Sequence, residues 1–171
     1  MTRRSAAGRR TGFTLIEVLI VVVILGILAA TVLPQFTVSN SEAKESVLRQ
    51  NLQTMRAQIQ LYRFQHNDNL PANQSGDDAT TFANQLAQAT DISGTLDPTG
   101  AYGPYLVNGV PANPFSTATD PKSVTLVTTA AGAAVKDGTT GWSYNTVTGE
   151  LRANLPDTVV ASDGTTSLNT F

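Results

Sequence analysis

Cysteine is absent from the 171 residues, and histidine occurs once, at His66. The first absence rules out any disulfide, so packing or bound ions have to hold the fold together. The second excludes a histidine-rich metal site and leaves a serine triad only His66 to draw on, with no Gly-x-Ser-x-Gly elbow to accompany it. His66 itself reads as a solvated residue at a helix end, and the composition argues against an enzyme. Charged residues are sparse and net negative, which disfavours nucleic-acid binding. Arg49, Arg56 and Arg63 recur every seven residues, but Glu42 and Glu45 lie close by, so they read as a solvated helix face.

The sequence is abundant in one thing at its start. Four arginines (Arg3, Arg4, Arg9 and Arg10) crowd residues 1–12, and over 13–36 the chain is almost wholly Val, Ile, Leu, Ala and Gly, with Glu17 the only charge. An apolar run of this length can span a bilayer. Basic residues ahead of it hold that end in the cytoplasm, so the chain beyond Phe36 should lie across the membrane. A carboxylate in such a helix costs up to about 2.5 to 3.5 kcal/mol on insertion scales, which asks for a partner or a role.

The segment Gly12-Phe13-Thr14-Leu15-Ile16-Glu17, between arginines and apolar run, resembles the class III leader of type IV pilins and of type II secretion pseudopilins. That resemblance implies cleavage by a prepilin peptidase between Gly12 and Phe13, N-methylation of Phe13, and a role in assembly for Glu17, whose carboxylate would meet the N-terminal amine of a neighbouring subunit with help from Thr14. It further implies a homo-oligomeric filament, other pseudopilins and an inner-membrane assembly platform as partners, and a single-pass bacterial inner-membrane protein with its head in the periplasm. With the leader arginines gone, seven basic residues face thirteen acidic ones, a net charge of minus six.

The chain reads as four regions: a basic leader (1–12), a transmembrane and assembly helix (13–36), an amphipathic continuation (37–66) and a periplasmic head (67–171). Leu48, Leu52, Met55, Ile59 and Tyr62 keep the alternating 4-3 spacing of a helical stripe, with charged residues on other faces, so one long helix is expected from 13 to about 66. Gly26 and Pro34 predict a kink near 31–34, and Ser39, Asn40 or Ser41 could cap a restart after a true break. In the resembling pilins the stretch between such a glycine and proline can unwind on assembly.

Phe82, Leu86 and Ala89 predict a short second helix within 80–90, capped by Asp78 or Thr80. Glycine and proline recur over 91–121, predicting an ordered but irregular loop. Strand patterns at 123–129, 142–145 and 150–154, the last two joined at Thr148-Gly149, predict three short antiparallel strands. The tail after Pro156, rich in Ser, Thr, Asp and Gly, shows no period and reads as partly disordered. Trp142, Tyr144, Tyr102 and Tyr105 belong to the core rather than to an adhesive patch. The fold class is thus α+β and pilin-like, a long N-terminal helix with a small C-terminal antiparallel sheet.

The head segments Gly103-Pro104-Tyr105-Leu106, Pro111-Ala112-Asn113-Pro114-Phe115 and Gly141-Trp142-Ser143-Tyr144 also resemble pseudopilin-like heads. Asp91, Asp97, Asp120 and Asp137 lie in loops where, by that resemblance, major pseudopilins bind calcium; turn formation by loop aspartates is the competing reading. The missing disulfide leans toward a type II secretion pseudopilus subunit that aids protein export. The alternative is a type IV pilin or minor pseudopilin for adhesion, motility or DNA uptake. A plain secretory leader, with Arg9-Arg10 and a small-residue site at Leu28-Ala29-Ala30, leaves Glu17 unexplained.

Overall fold

The computed structural model describes residues 12–171, apart from the side chains of 32–39. The leader arginines lie outside the described residues. The first element, α1, runs over Leu15–Gln65, close to the expected span. Its backbone stays helical through Gly26, Pro34 and 39–41, so the capped restart does not occur. Side-chain caps cannot nucleate a new start where the intrahelical ladder is already continuous. The chain divides into two units between Ser39 and Asn40.

In the first unit the helix presents apolar side chains on every side. Leu15 is 87% exposed, and Ile16, Val18 and the other large apolar residues through Leu28 are at least half exposed. Thr31 Oγ1 donates to the Leu28 carbonyl at 2.9 Å, so even this hydroxyl is satisfied within the helix. Among the described residues no helix is long and apolar enough to cross a membrane. The run read from the sequence continues to Phe36, beyond the last described side chain of this stretch.

The second unit, Asn40–Phe171, is the head. Leu48, Leu52, Met55, Ile59 and Tyr62 are all essentially buried, so the 4-3 stripe is the helical wall of the core. Helix α2, Ala79–Ala87, adds Phe82 and Leu86. Asp78 is its N-cap and Thr81 completes a capping box: the carboxylate accepts from Thr81 N at 2.8 Å while the Thr81 hydroxyl lies 3.4 Å from Asp78 N. Strands β1 (Val124–Val127), β2 (Trp142–Asn145) and β3 (Leu151–Ala153) form one sheet in that order.

The sheet is mixed, not antiparallel throughout. β2 and β3 pair antiparallel through the turn at Thr148-Gly149, but β1 and β2 are parallel. Parallel neighbours need a crossover of about a dozen residues or more, and the connection 128–141 is such a crossover. It also explains why all four residues of β2 are buried. Trp142 and Tyr144 enter the core, while Ser143 and Asn145, on the other face by strand alternation, meet the returning chain: Ser143 Oγ accepts from Val135 N at 2.9 Å, and Asn145 Nδ2 donates to the Thr129 carbonyl at 3.0 Å.

The long segment 91–121 is irregular and ordered, as expected. Thr90 bridges to Leu96 and Tyr102, the Tyr105 and Leu106 amides donate to the Leu86 carbonyl at 2.9 and 2.8 Å, and Trp142 Nε1 donates to the Pro111 carbonyl at 2.9 Å.

The tail departs from expectation. Val160 bridges to Ser167, a 3-10 turn covers Leu168–Thr170, and Leu168 is fully buried. Asn169 Nδ2 donates to the Leu155 carbonyl at 2.9 Å and to Asp157 Oδ1 at 2.8 Å, and the Ser162 amide donates to the Glu45 carboxylate. One large apolar anchor and a set of side-chain caps order a stretch whose composition resembles that of a disordered one.

Candidate functional site at the start of the long helix

Gly12, Phe13 and Thr14 precede α1 without helical structure, and the helix begins at Leu15. Thr14 therefore occupies the N-cap position and Glu17 the third helical position. The two side chains answer each other: Thr14 Oγ1 accepts from Glu17 N at 3.3 Å, and Glu17 Oε2 accepts from Thr14 N at 3.4 Å. This is a capping box, and it satisfies two backbone donors that have no partner inside the helix. It also places a negative charge in the first turn, where the helix dipole favours it. The Thr-x-x-Glu spacing is the sequence signal that reveals this pairing; without it, only the family resemblance links Thr14 to Glu17.

The site is open. Phe13 is 84% exposed, and both Thr14 and Glu17 are exposed. The Gly12–Phe13 bond thus lies in an accessible, non-helical stretch next to a carboxylate held by only local bonds. A cation brought to this end of the helix meets a carboxylate already fixed in orientation.

Each of the aspartates considered for calcium bonds residues of its own turn. Asp91 Oδ1 accepts from the Ser93 hydroxyl at 2.7 Å and from the Ser93 and Thr95 amides at 2.9 Å each, bonds that hold its carboxyl below the usual range, the Ser93 hydroxyl contributing most. Asp97 Oδ1 caps Thr99 and Asp120 Oδ1 caps Lys122, at 2.8 and 2.9 Å from those amides. Asp137 Oδ1 accepts from Thr139 N and from Asn154 Nδ2, both at 2.9 Å, and its carboxyl is also held low, chiefly by the Thr139 amide. Among the described residues no group of three or more His, Cys, Asp or Glu side chains converges as a metal site.

His66 is not solvated. It is fully buried, stacked on Tyr62 with ring centroids 3.8 Å apart; its Nδ1 donates to the Tyr62 carbonyl at 2.8 Å, and Nε2 lies 3.0 Å from Thr90 Oγ1. It closes the end of α1 against the irregular loop, because the chain turns back over the helix terminus there. The core assignment of the aromatic residues holds for Trp142 and Tyr144, both fully buried, and for Tyr105; Tyr102 is half-buried against it.

Residues 8–33 match the family model described as the prokaryotic N-terminal methylation motif. The type II secretion system core protein G of Pseudomonas aeruginosa is 41% identical over 68 residues, 40% of this chain and 47% of that protein. The protein of the same description from Aeromonas hydrophila is 34% identical over 71 residues, 42% and 49% of the two chains. Each match covers about half the length of these curated relatives. No solved structure matches significantly. The chain thus carries a prepilin-type N-terminal methylation motif and shares homology with type II secretion core protein G.

Proposed function

We propose that this chain is a structural subunit of a type II secretion pseudopilus, with no catalytic role of its own. The observation that carries the reading is the methylation motif at 8–33, which contains Gly12, Phe13 and the Thr14–Glu17 box. A prepilin peptidase cuts between Gly12 and Phe13, and the Phe13 amine is methylated and stays cationic. The segment 13–36 sits in the inner membrane as a single pass, with the arginine side in the cytoplasm and the head in the periplasm.

Assembly follows from the cost of an unpaired charge. Glu17 in hydrocarbon regains most when it meets the Phe13 amine of a neighbouring copy, and breaking such a pair on one side costs about 3–5 kcal/mol. Thr14 orients the carboxylate for that partner. The resulting filament of this chain, working with other pseudopilins and an inner-membrane platform, aids protein export.

The test is mass spectrometry of the N-terminal peptide after expression with an active prepilin peptidase. A methylated Phe13 terminus is the expected result. A retained leader, or a cut after Ala30, would overturn the reading. Loss of secretion in a deletion strain then supports the pseudopilus over a surface pilus, which would instead lose filaments and motility.

A further inference from the structure

The turn from Leu106 to Gly109 holds up to solvent the chain's one Asn-Gly step, Asn108-Gly109. Gly109 N donates to the Leu106 carbonyl at 2.9 Å and closes a β-turn whose two central residues are Val107 and Asn108. Leu106 and Val110 on either side are buried, whereas Val107 and Asn108 are exposed. Among the described residues the Asn108 side chain makes no hydrogen bond. We propose that Asn108 is a site of spontaneous deamidation in the folded protein, giving aspartate and isoaspartate without an enzyme. This inference is independent of the filament reading.

The chemistry needs only solvent water and hydroxide. Hydroxide takes the proton of Gly109 N, and that nitrogen attacks Asn108 Cγ. An N–Cγ bond forms, the Cγ–Nδ2 bond breaks, and Nδ2 leaves as ammonia with a proton from water, closing a five-membered imide. Water then opens the ring at either carbonyl. Opening at Cγ gives aspartate, and opening at the main-chain carbon gives isoaspartate, whose backbone runs through the former side chain. The net change is one water consumed and one ammonia released, with no oxidation or reduction. Glycine at the attacked step matters because it brings no side chain against the closing ring, and a Cβ built at Gly109 would meet nothing within 4 Å, so the approach is open. The one barrier in the fold is the Gly109 N bond to Leu106, a single turn bond at the surface that opens by local fluctuation.

The competing positions are guarded. Asn145, Asn154 and Asn169 are buried, Asn113 precedes Pro114, which has no amide proton to lose, and Asn40-Ser41 lies inside α1, where the helical ladder holds the backbone. The two Asp-Gly steps could close the same ring by losing water, but only with the carboxyl protonated, since an ionised carboxylate repels the attacking nitrogen. Asp137 is held low, chiefly by the Thr139 amide, and Gly138 N is itself engaged by Asn154 Oδ1 at 3.2 Å. Asp163 is held low by the Thr166 hydroxyl first, and Gly164 N donates to the Ala161 carbonyl at 2.9 Å. Asn108 is a neutral amide with none of these restraints on its side chain. It also sits, with Gly109 and Val110, on one lip of an open cleft of about 350 Å³ whose lining includes Asp120 and Lys122, so deamidation adds a second carboxylate to that cleft.

The test is peptide mapping by mass spectrometry after the full-length protein, solubilised from membranes and still folded by Trp142 fluorescence, has stood at neutral and at mildly alkaline pH. The peptide holding Asn108 should gain one mass unit about ten-fold or more faster than the peptide holding Asn40, whose backbone opens less readily within the helix. The product should be a mixture of aspartate and isoaspartate, the latter detected by isoaspartyl methyltransferase, and its rate should climb with hydroxide concentration. Asn108→Gln should keep the fold and lose the reaction, because the six-membered ring it would need closes far more slowly. An amide that persists at Asn108 in the folded chain but is lost from the same peptide in urea would show that the turn protects it, and would overturn the proposal. So would earlier modification at Asn40, Asp137 or Asp163, or a mass gain at Asn108 without isoaspartate.

Discussion

Glu17 caps the first turn of α1 and, in the proposed pseudopilus, would also carry the assembly charge, two tasks that one substitution can separate. As the third residue of α1 it caps the Thr14 amide, a task glutamine also performs in capping boxes. As a charge it seeks a cation, which glutamine cannot do. Glu17→Gln should therefore leave cleavage after Gly12 intact and still lose filament assembly, as should Glu17→Val; pelleted filament and the N-terminal mass of the same samples decide it. Normal assembly of Glu17→Gln would mean that the cap, not the charge, is what assembly requires. His66 makes a different kind of residue-scale statement. Its ring is held by Tyr62 and Thr90 at a fully buried position, so His66→Ala removes both the stack and the link to Thr90. The expected loss is about 2–4 kcal/mol of head stability, read from urea unfolding by Trp142 fluorescence. The sequence could not reveal this burial, because a polar residue just past a helix end looks the same whether the following chain leaves or folds back over it.

At the scale of elements, repeating patterns are legible in the sequence and features that depend on distant chain are not. The core stripe of α1, the Asp78 cap of α2 and the residues of β2 all emerge from local period and cap chemistry. The direction of β1 relative to β2 depends on where 128–141 runs, which no local pattern records. Gly141 marks the joint. Its amide and that of Trp142 both donate to the Ser123 carbonyl at 3.1 Å, and a Cβ there would lie 1.9 Å from the Pro121 carbonyl oxygen. Gly141→Ala should thus force the strands apart and cost about 1–3 kcal/mol or more in the same unfolding assay. The tail hairpin gives a pH test. Asp163 accepts from the Thr166 hydroxyl and from the Thr165 and Thr166 amides, and these bonds, the hydroxyl first, lower its carboxyl from 3.8 to about 2. The unfolded hairpin binds the proton more readily than the folded one, so this contribution is full above pH 3.8 and is lost as pH falls toward 2. The amide resonances of Thr165 and Thr166 should move over that window and be steady above it; a transition centred near 5 would contradict the assignment.

For the molecule as a whole, the question is what holds a cysteine-free head together. The buried hydrophobic side chains of the core all belong to the unit Asn40–Phe171, and the loops that enclose them are fixed by buried asparagines. Asn154 is the clearest case. It is fully buried, its Oδ1 accepts from the Asp137 and Gly138 amides at 2.9 and 3.2 Å, and its Nδ2 donates to Asp137 Oδ1 at 2.9 Å and Thr140 Oγ1 at 2.8 Å. One neutral side chain thereby ties a loop aspartate and its neighbours to the end of β3, a task that a bound cation performs where carboxylates converge. Asn154→Ala would leave two backbone donors without their acceptor at a buried position and should cost about 2–4 kcal/mol. If the asparagine network suffices, adding calcium or a chelator should leave the melting temperature of the unsubstituted chain where it is. A rise with calcium that a chelator reverses would show that the loop aspartates gather around an ion after all, and the loss on Asn154→Ala would then shrink when calcium is supplied.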